Sequence, residues 1–244
     1  MENFKQVDWT QPFKQFDWNQ KEDLKIFKCR EVKTPEKYGK ACGWDFFIPT
    51  DLTLGDFFNN SAAFINEFVE SYTEDLPVQF KVNYNGEIRK YVFYAIDNKS
   101  IGIKYYDCNN GIFYTIDNVS EVLTLKVEEI LLLPGGKILI PSGIHVNLPD
   151  HIFLDAENKS GIAAKRGLVH GAALIDNDYE GQIHINLLNP TCYNVKIKPG
   201  EKIVQFVPYL KPAMNTVKEY TSKEELYKDS ESIRGEGGFG SSGI

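Results

Sequence analysis

EEILLLPGGKILIPSGIHVNLPDHIFLDAENKSG, residues 128 to 161, breaks into short apolar runs separated by Pro-Gly-Gly, Pro-Ser-Gly, Pro-Asp and Asn-Lys-Ser-Gly. Runs of strand length with turn residues at this spacing build a β-sandwich or barrel. The pattern continues through ALIDNDYEGQIHINLLNP (173 to 190) and VKIKPGEKIVQFVPYL (195 to 210). No helix of useful length fits between 127 and 210, so the region is expected to be all-β, most simply a jelly roll of two packed sheets.

Upstream the text changes. SAAFINEFVESY (61 to 72) sets Ala62, Phe64, Ile65, Phe68, Val69 and Tyr72 at helical spacing. VQFKVNY and EIRKYVFYAI flank Asn85-Gly86, a pair suited to the two positive-φ positions of a type I′ hairpin turn. IGIKYYD and IFYTI form a second pair around residues 108 to 111. Residues 54 to 123 therefore read as a small α+β subdomain inserted into a mainly β body. Its many tyrosines suit an interface, and equally suit strands for their own sake.

The first twenty residues hold a near repeat, FKQVDWTQ (4 to 11) and FKQFDWNQ (13 to 20). Two copies are too few for a repeat fold. The stretch reads as an arm, residues 1 to 22, with Trp9 and Trp18 docking on the body or a neighbouring subunit; display to a partner is the other reading. The body then comprises 23 to 53 and 124 to 233, and residues 234 to 244 form a glycine-rich tail.

With 244 residues, 42% of them apolar, the chain has enough material for a core. Its net charge of −7 argues against a broad nucleic-acid or anionic-membrane surface, although local basic pockets stay open. No apolar run approaches the ~18 residues of a membrane span, and MENFKQVDWT has neither a basic start nor an apolar signal core, so a cytoplasmic protein is expected. Cys29, Cys42, Cys108 and Cys192 stand apart without ligand spacing and read as reduced structural thiols. The four histidines, His145, His151, His170 and His184, supply no metal-binding pattern either.

Three stretches carry candidate chemistry. The tail RGEGGFGSSGI (234 to 244) matches a dinucleotide fingerprint by letter, but nothing follows it to form the required helix. Five glycines make ordering costly, so such a tail gains order from a ligand. Arg234 offers a planar fork for phosphate oxygens, Phe239 a flat face for a base, and Ser241 and Ser242 hydroxyls beside Gly240. ALIDNDYEGQI sets Asp176, Asp178 and Tyr179 in a tight turn, either solvated or presenting a general base, which needs some burial. ENKSGIAAKRGL puts Ser160 and Gly161 in a turn among Lys159, Lys165 and Arg166, small enough to admit an anion to the backbone. Ser160 is not read as a nucleophile, because no G-x-S-x-G elbow surrounds it.

With these pieces in order, the chain resembles the trimeric dUTPases, the dUTP nucleotidohydrolases, at five motifs: ACGWDFFIP (41 to 49), NKSGIAAKRGL (158 to 168), GAALIDNDYEGQ (171 to 182), GEKIVQF (200 to 206) and RGEGGFGSSG (234 to 243). The resemblance covers about 23 to 53 and 124 to 244. It implies a jelly roll, three copies sharing each active site, and a tail that closes over nucleotide in a neighbour's site. Asp176 would deprotonate the water that attacks the α-phosphate of dUTP, releasing pyrophosphate and dUMP. Tyr179 would pack on the deoxyribose, and backbone around Ala172, Ala173 and Leu174 would read uracil. Lys159, Ser160, Gly161 and Gln205 would hold phosphates, with Asp45 in a supporting network. Arg234 would meet the γ-phosphate and Phe239 stack on the base, beside Gly240, Ser241 and Ser242. Mg²⁺ would arrive on the triphosphate, held by its oxygens and water rather than by the protein.

The chain departs from that pattern in three places. Lys159 stands where arginine is usual, a point charge in place of a fork. Ala173 stands where glycine is frequent, which would matter if the site needs positive φ or close approach. The insert, 54 to 123, has no counterpart. Two alternatives follow: a regulatory protein that is switched by nucleotide and meets a partner through the insert, or a related pyrophosphatase with altered base preference. A dCTP deaminase of the same fold is expected to carry a catalytic glutamate where this chain reads HINLLN.

Overall fold

The computed structural model describes residues 23–58, 77–97, 100–107, 109–211 and 217–229. The arm (1 to 22), the expected helix at 61 to 72 and the tail from 234 lie outside the described residues. The chain divides into two compact units. One, residues 17–211, holds every described strand; the other includes the described residues 217–229, where Ser222 caps a short helix at Lys223–Leu226 by accepting from the Glu225 amide.

Fifteen strands follow in chain order: β1 (Lys25–Lys28), β2 (Trp44–Phe47), β3 (Val78–Tyr84), β4 (Glu87–Asp97), β5 (Ser100–Asp107), β6 (Ile112–Thr115), β7 (Val127–Leu132), β8 (Lys137–Pro141), β9 (Ile144–Asn147), β10 (Ile152–Asn158), β11 (Val169–His170), β12 (Leu174–Ile175), β13 (His184–Leu188), β14 (Val195–Ile197) and β15 (Lys202–Leu210). The protein is mainly β and of jelly-roll type. Its described sheets have the orders β12-β10-β15-β2, β11-β13-β8, β1-β9 and β14-β7-β3-β4-β5-β6.

One short helix, α1 (Ser160–Arg166), breaks the expectation of an all-β stretch and replaces the turn expected at Ser160 and Gly161. Ile-Ala-Ala-Lys-Arg favours a helix locally, and Gly167, at φ 66°, ends it in the left-handed conformation that glycine adopts freely.

Within the segment expected as an inserted subdomain, 54 to 123, the strands pair with the body. β3 pairs antiparallel with β7, so β3 to β6 continue the body's β14-β7 ribbon into a six-stranded sheet. The hairpin at Asn85-Gly86 forms as its sequence requires, with φ of 53° and 90°. Period-two alternation sends Val78, Phe80 and Val82 inward. Phe80 stacks between Phe57, of the helical residues 54–58, and Phe93 at centroid distances of 4.8 and 4.9 Å. These residues share one apolar core with Ile130, Leu132, Ile140, Leu154 and Phe206. Asn189, 1% exposed, ties the end of β7 to the loop before β14: its amide donates to the Leu132 and Tyr193 carbonyls, and its oxygen accepts from the Thr191 amide and hydroxyl.

Because β3 supplies the hydrogen bonds and side chains that cover β7, the segment is part of the folding unit. Replacing 77 to 116 by a short Gly-Ser linker should yield insoluble chain, and Phe80→Ala should cost about 3–5 kcal/mol, read by urea unfolding.

Candidate functional site

The four-stranded sheet gathers the four described candidate stretches onto adjacent strands. Asp45 lies on β2, Gln205 on β15, Lys159 and Ser160 directly after β10, and Leu174 on β12. The register sets Asp45 opposite Gln205, and Gln205 opposite Glu157. One corner of the sheet thus collects Asp45, Gln205, Lys159, Ser160 and Gly161.

Asp45, 7% exposed, is the hub of that corner. Its Oδ1 takes the Lys159 ammonium at 2.5 Å and its Oδ2 the Lys202 ammonium at 3.1 Å. A buried carboxylate needs such partners, since removing one charge of the set leaves another uncompensated. The hydrogen bond to Asp45 raises the Lys202 pKa above the ordinary lysine value. Arg166, at the far end of α1, reaches Glu201 at 2.7 Å and fixes the helix against the start of β15. Gln205 donates its amide to the Gly43 carbonyl at 3.3 Å. Lys202 escaped the sequence reading: its place beside Asp45 follows from the β15–β2 pairing, which leaves no local mark.

Gly161 behaves differently from a packing glycine. A Cβ built there meets nothing within 4 Å, and its φ lies outside the left-handed range. Neither the backbone nor a neighbouring side chain requires glycine at this point. The Ile162 and Ala163 amides both take the Lys159 carbonyl, so the corner presents open space, the Ser160 and Gly161 amides and cations together. That combination fits an oxyanion.

The second group lies elsewhere. Leu154 of β10 pairs with Ile175 and Asp155 with Leu174, so the chain runs from β12 into Asp176 toward the Phe153 end of β10. Ser160 follows its other end, Asn158. The five steps from Phe153 to Asn158 span roughly 17 Å at the rise of an extended strand. One copy of the chain therefore does not bring Asp176 to Ser160. Asp176 and Leu174 are exposed in the single chain, whereas the sequence reading asked for a partly buried base. Asp176 accepts at its carbonyl from the Tyr179 amide, closing the expected tight turn. Lys211 donates to Asn177 at 3.0 Å beside it. Ala173 has no positive φ and its carbonyl accepts from the Ala156 amide, so alanine sits there without backbone strain.

Neither ring nitrogen of His170 has a hydrogen-bond partner among the described residues, so it does not serve Ser160 as a base. Cys29, Cys42 and Cys192 are free and exposed. Among the described residues no three His, Cys, Asp or Glu side chains gather to hold a metal, and no helix is long and apolar enough to cross a membrane. Arg234, Phe239, Gly240, Ser241 and Ser242 lie outside the described residues.

Residues 123–243 match the family model described as dUTPase. A deoxyuridine 5'-triphosphate nucleotidohydrolase of Cronobacter sakazakii is 36% identical over 121 residues, spanning 48% of this chain and 74% of that protein. One from Neisseria meningitidis is 35% identical over 122 residues, 48% of this chain and 75% of that protein. Among solved structures, the Staphylococcus bacteriophage 80alpha dUTPase with dUPNHPP aligns over 92% of this chain and all of its own, at 18% identity and a TM-score of 0.49.

Burial lowers the His184 pKa below its usual 6.5, against an opposing hydrogen bond to the Gln182 carbonyl, and Arg30 lowers it further. The unfolded chain therefore binds this proton more readily than the folded one. The stability it confers is complete above the unfolded value and is lost as pH falls through 6.5 toward the depressed folded value. Urea unfolding at pH 7, 6 and 5 should show this loss, and His184→Asn, which cannot take up the proton, should flatten it.

Proposed function

The chain belongs to the dUTPase family, and on that premise we propose that it hydrolyses dUTP to dUMP and pyrophosphate in sites that copies of the chain build jointly. The observation that carries the sharing is the register of β10, whose opposite ends hold the oxyanion corner and Asp176. A complete site needs the corner of one copy and the Asp176 turn of another, which supports a closed symmetric oligomer. We take it to be a trimer. The exposure of Asp176 in a single chain fits the same reading, since a neighbour's surface would cover it.

Lys159, Ser160, Gly161 and Gln205 would hold the phosphates, with Asp45 fixing the lysine from behind. The Lys159 ammonium gives one of its three protons to Asp45 and keeps two for phosphate oxygens, beside the backbone donors of α1. Backbone around Ala172, Ala173 and Leu174 would read the uracil edge, and Tyr179 would lie against the deoxyribose. Asp176 takes a proton from water as the water oxygen bonds to the α-phosphorus; the bond from that phosphorus to the bridging oxygen breaks, and pyrophosphate leaves with the electron pair. Arg234 and Phe239, with Gly240, Ser241 and Ser242, would meet the γ-phosphate and the base.

The donors gathered at the corner suit phosphate oxygens rather than a cation. Magnesium would enter on the triphosphate, neutralising its charge while keeping phosphate and water ligands. Three exposed free thiols among the described residues fit a reducing compartment and support a cytoplasmic setting.

A second role accompanies catalysis in this reading. β6 is an outer strand whose four residues are all exposed, with Ile112, Phe113 and Tyr114 each 38% exposed or more and no charge to blunt the edge. Such an edge suits a protein partner added as a further strand.

Pyrophosphate release measured against dUTP, dCTP, dTTP and UTP tests the activity; no preference for dUTP would sink it. Asp176→Asn should leave the fold and oligomer intact and lower turnover by ~10² or more. Mixed oligomers of the inactive Asp176→Asn and Gln205→Ala chains should recover about a quarter of the sites by random assortment, whereas no recovery would show that each chain builds its own site. Gly161→Ala should raise helix stability by up to about 1 kcal/mol while depressing turnover, a pairing that only a ligand-facing glycine produces.

A further inference from the structure

Tyr179 is held by a loop that is itself held from outside. The Tyr179 hydroxyl donates to the Gln182 carbonyl at 2.8 Å, folding its ring over Gly181. A Cβ on Gly181 would collide with the ring, 2.4 Å from Cζ, so the ring and the loop backbone are in direct contact. Two histidines grip the same loop on either side of that glycine. Nδ1 of His145, on β9, lies 2.9 Å from the Glu180 carbonyl, and Nδ1 of His184, at the start of β13, lies 2.9 Å from the Gln182 carbonyl. A carbonyl oxygen only accepts, so both imidazoles must carry their proton on Nδ1.

Directly after them, Ile183 is fully buried; its amide donates to the Ile144 carbonyl and its own carbonyl accepts from the Ser142 amide. Glu180 and Ile183 are thus fastened to β9 and the turn before it, while Gln182 is held by His184 at the start of β13. His145 is steadied in turn by the Phe27 ring, 5.7 Å away across the β1–β9 pair. Upstream, the loop's regular structure amounts to the two residues of β12, too little to fix an exposed tyrosine ring.

We propose that His145 and His184 are positioning residues for sugar selection: by holding the Glu180 and Gln182 carbonyls they fix the Tyr179 ring at the distance where a deoxyribose fits and a ribose 2′-hydroxyl does not. The inference rests on the reading of Tyr179 as the surface that meets the sugar. Steric rejection of one added oxygen requires a wall that does not yield, because a ring free to move by an ångström would admit the hydroxyl. The clamp supplies that rigidity through two side-chain donors from strands that belong to the rigid body of the fold.

The test compares kcat/KM for dUTP and UTP, with thermal unfolding, in His145→Leu, His184→Leu and Tyr179→Leu. The clamp predicts that each histidine variant raises the UTP-to-dUTP ratio by ~10-fold or more, the scale of a weakened steric contact. His145→Asn and His184→Asn, whose Nδ2–H can stand in for the lost donor, should return the ratio to near the starting value. Should His184→Leu fail to fold, the less buried His145 carries the test alone. A ratio unchanged in the histidine variants but raised in Tyr179→Leu would overturn the clamp and leave the sugar reading standing. A ratio unchanged in Tyr179→Leu would overturn the sugar reading itself.

Discussion

The antiparallel register of β10 constrains everything else in this protein. On one side it pairs with β15, which brings β2 and Asp45 alongside; on the other it pairs with β12 and fixes where Asp176 emerges. A one-residue slip would turn every side chain of the strand to its other face, so the buried Leu154 and Ala156 lock that register from within. Hydrophobic burial in one strand therefore determines which chemical groups share a corner and which are kept apart. The separation of Ser160 from Asp176 within one chain follows from it.

Around that strand two groups of candidate residues are stiffened by different physics. At the corner beside Ser160 the means is electrostatic: Asp45 between Lys159 and Lys202, and Glu201 on Arg166. At the Tyr179 loop it is hydrogen bonding to backbone carbonyls, with Tyr179, His145 and His184 converging on two of them. Gly161 and Gly181 mark the contrast. The first faces empty space and leaves room for a ligand, while the second is glycine because an aromatic ring occupies the position of its missing side chain.

The sheet extension gives the body an unusual width. Residues 78–115 add four strands to β7, and their Phe80 and Phe93 meet Phe57 and merge with the body's core. Their outermost strand, β6, ends the sheet with apolar residues in the open. A module that enlarges the core on one side and exposes an uncharged edge on the other can be retained for stability and contact at once.

Strand-length apolar runs between Pro-Gly-Gly, Pro-Ser-Gly and Pro-Asp sufficed to read the β class, because alternation and turn chemistry are local properties of the chain. The hairpin at Asn85-Gly86 was legible for the same reason: two adjacent positive φ values suit few other residue pairs. The candidate residues Asp45, Lys159, Ser160, Gly161, Ala173, Leu174, Asp176, Tyr179 and Gln205 were nameable from four short motifs. Helix α1 was missed because seven residues give too little periodicity against a background of strands. Lys202 beside Asp45, the joining of β3 to β7, and the grip of His145 and His184 on the Tyr179 loop were not legible at all. Each depends on residues tens of positions apart meeting across strands, a matter of register rather than of composition. The sequence by itself determined the fold class and the inventory of reactive groups; tertiary structure alone decided their grouping, because only strand pairing converts separation along the chain into distance in space.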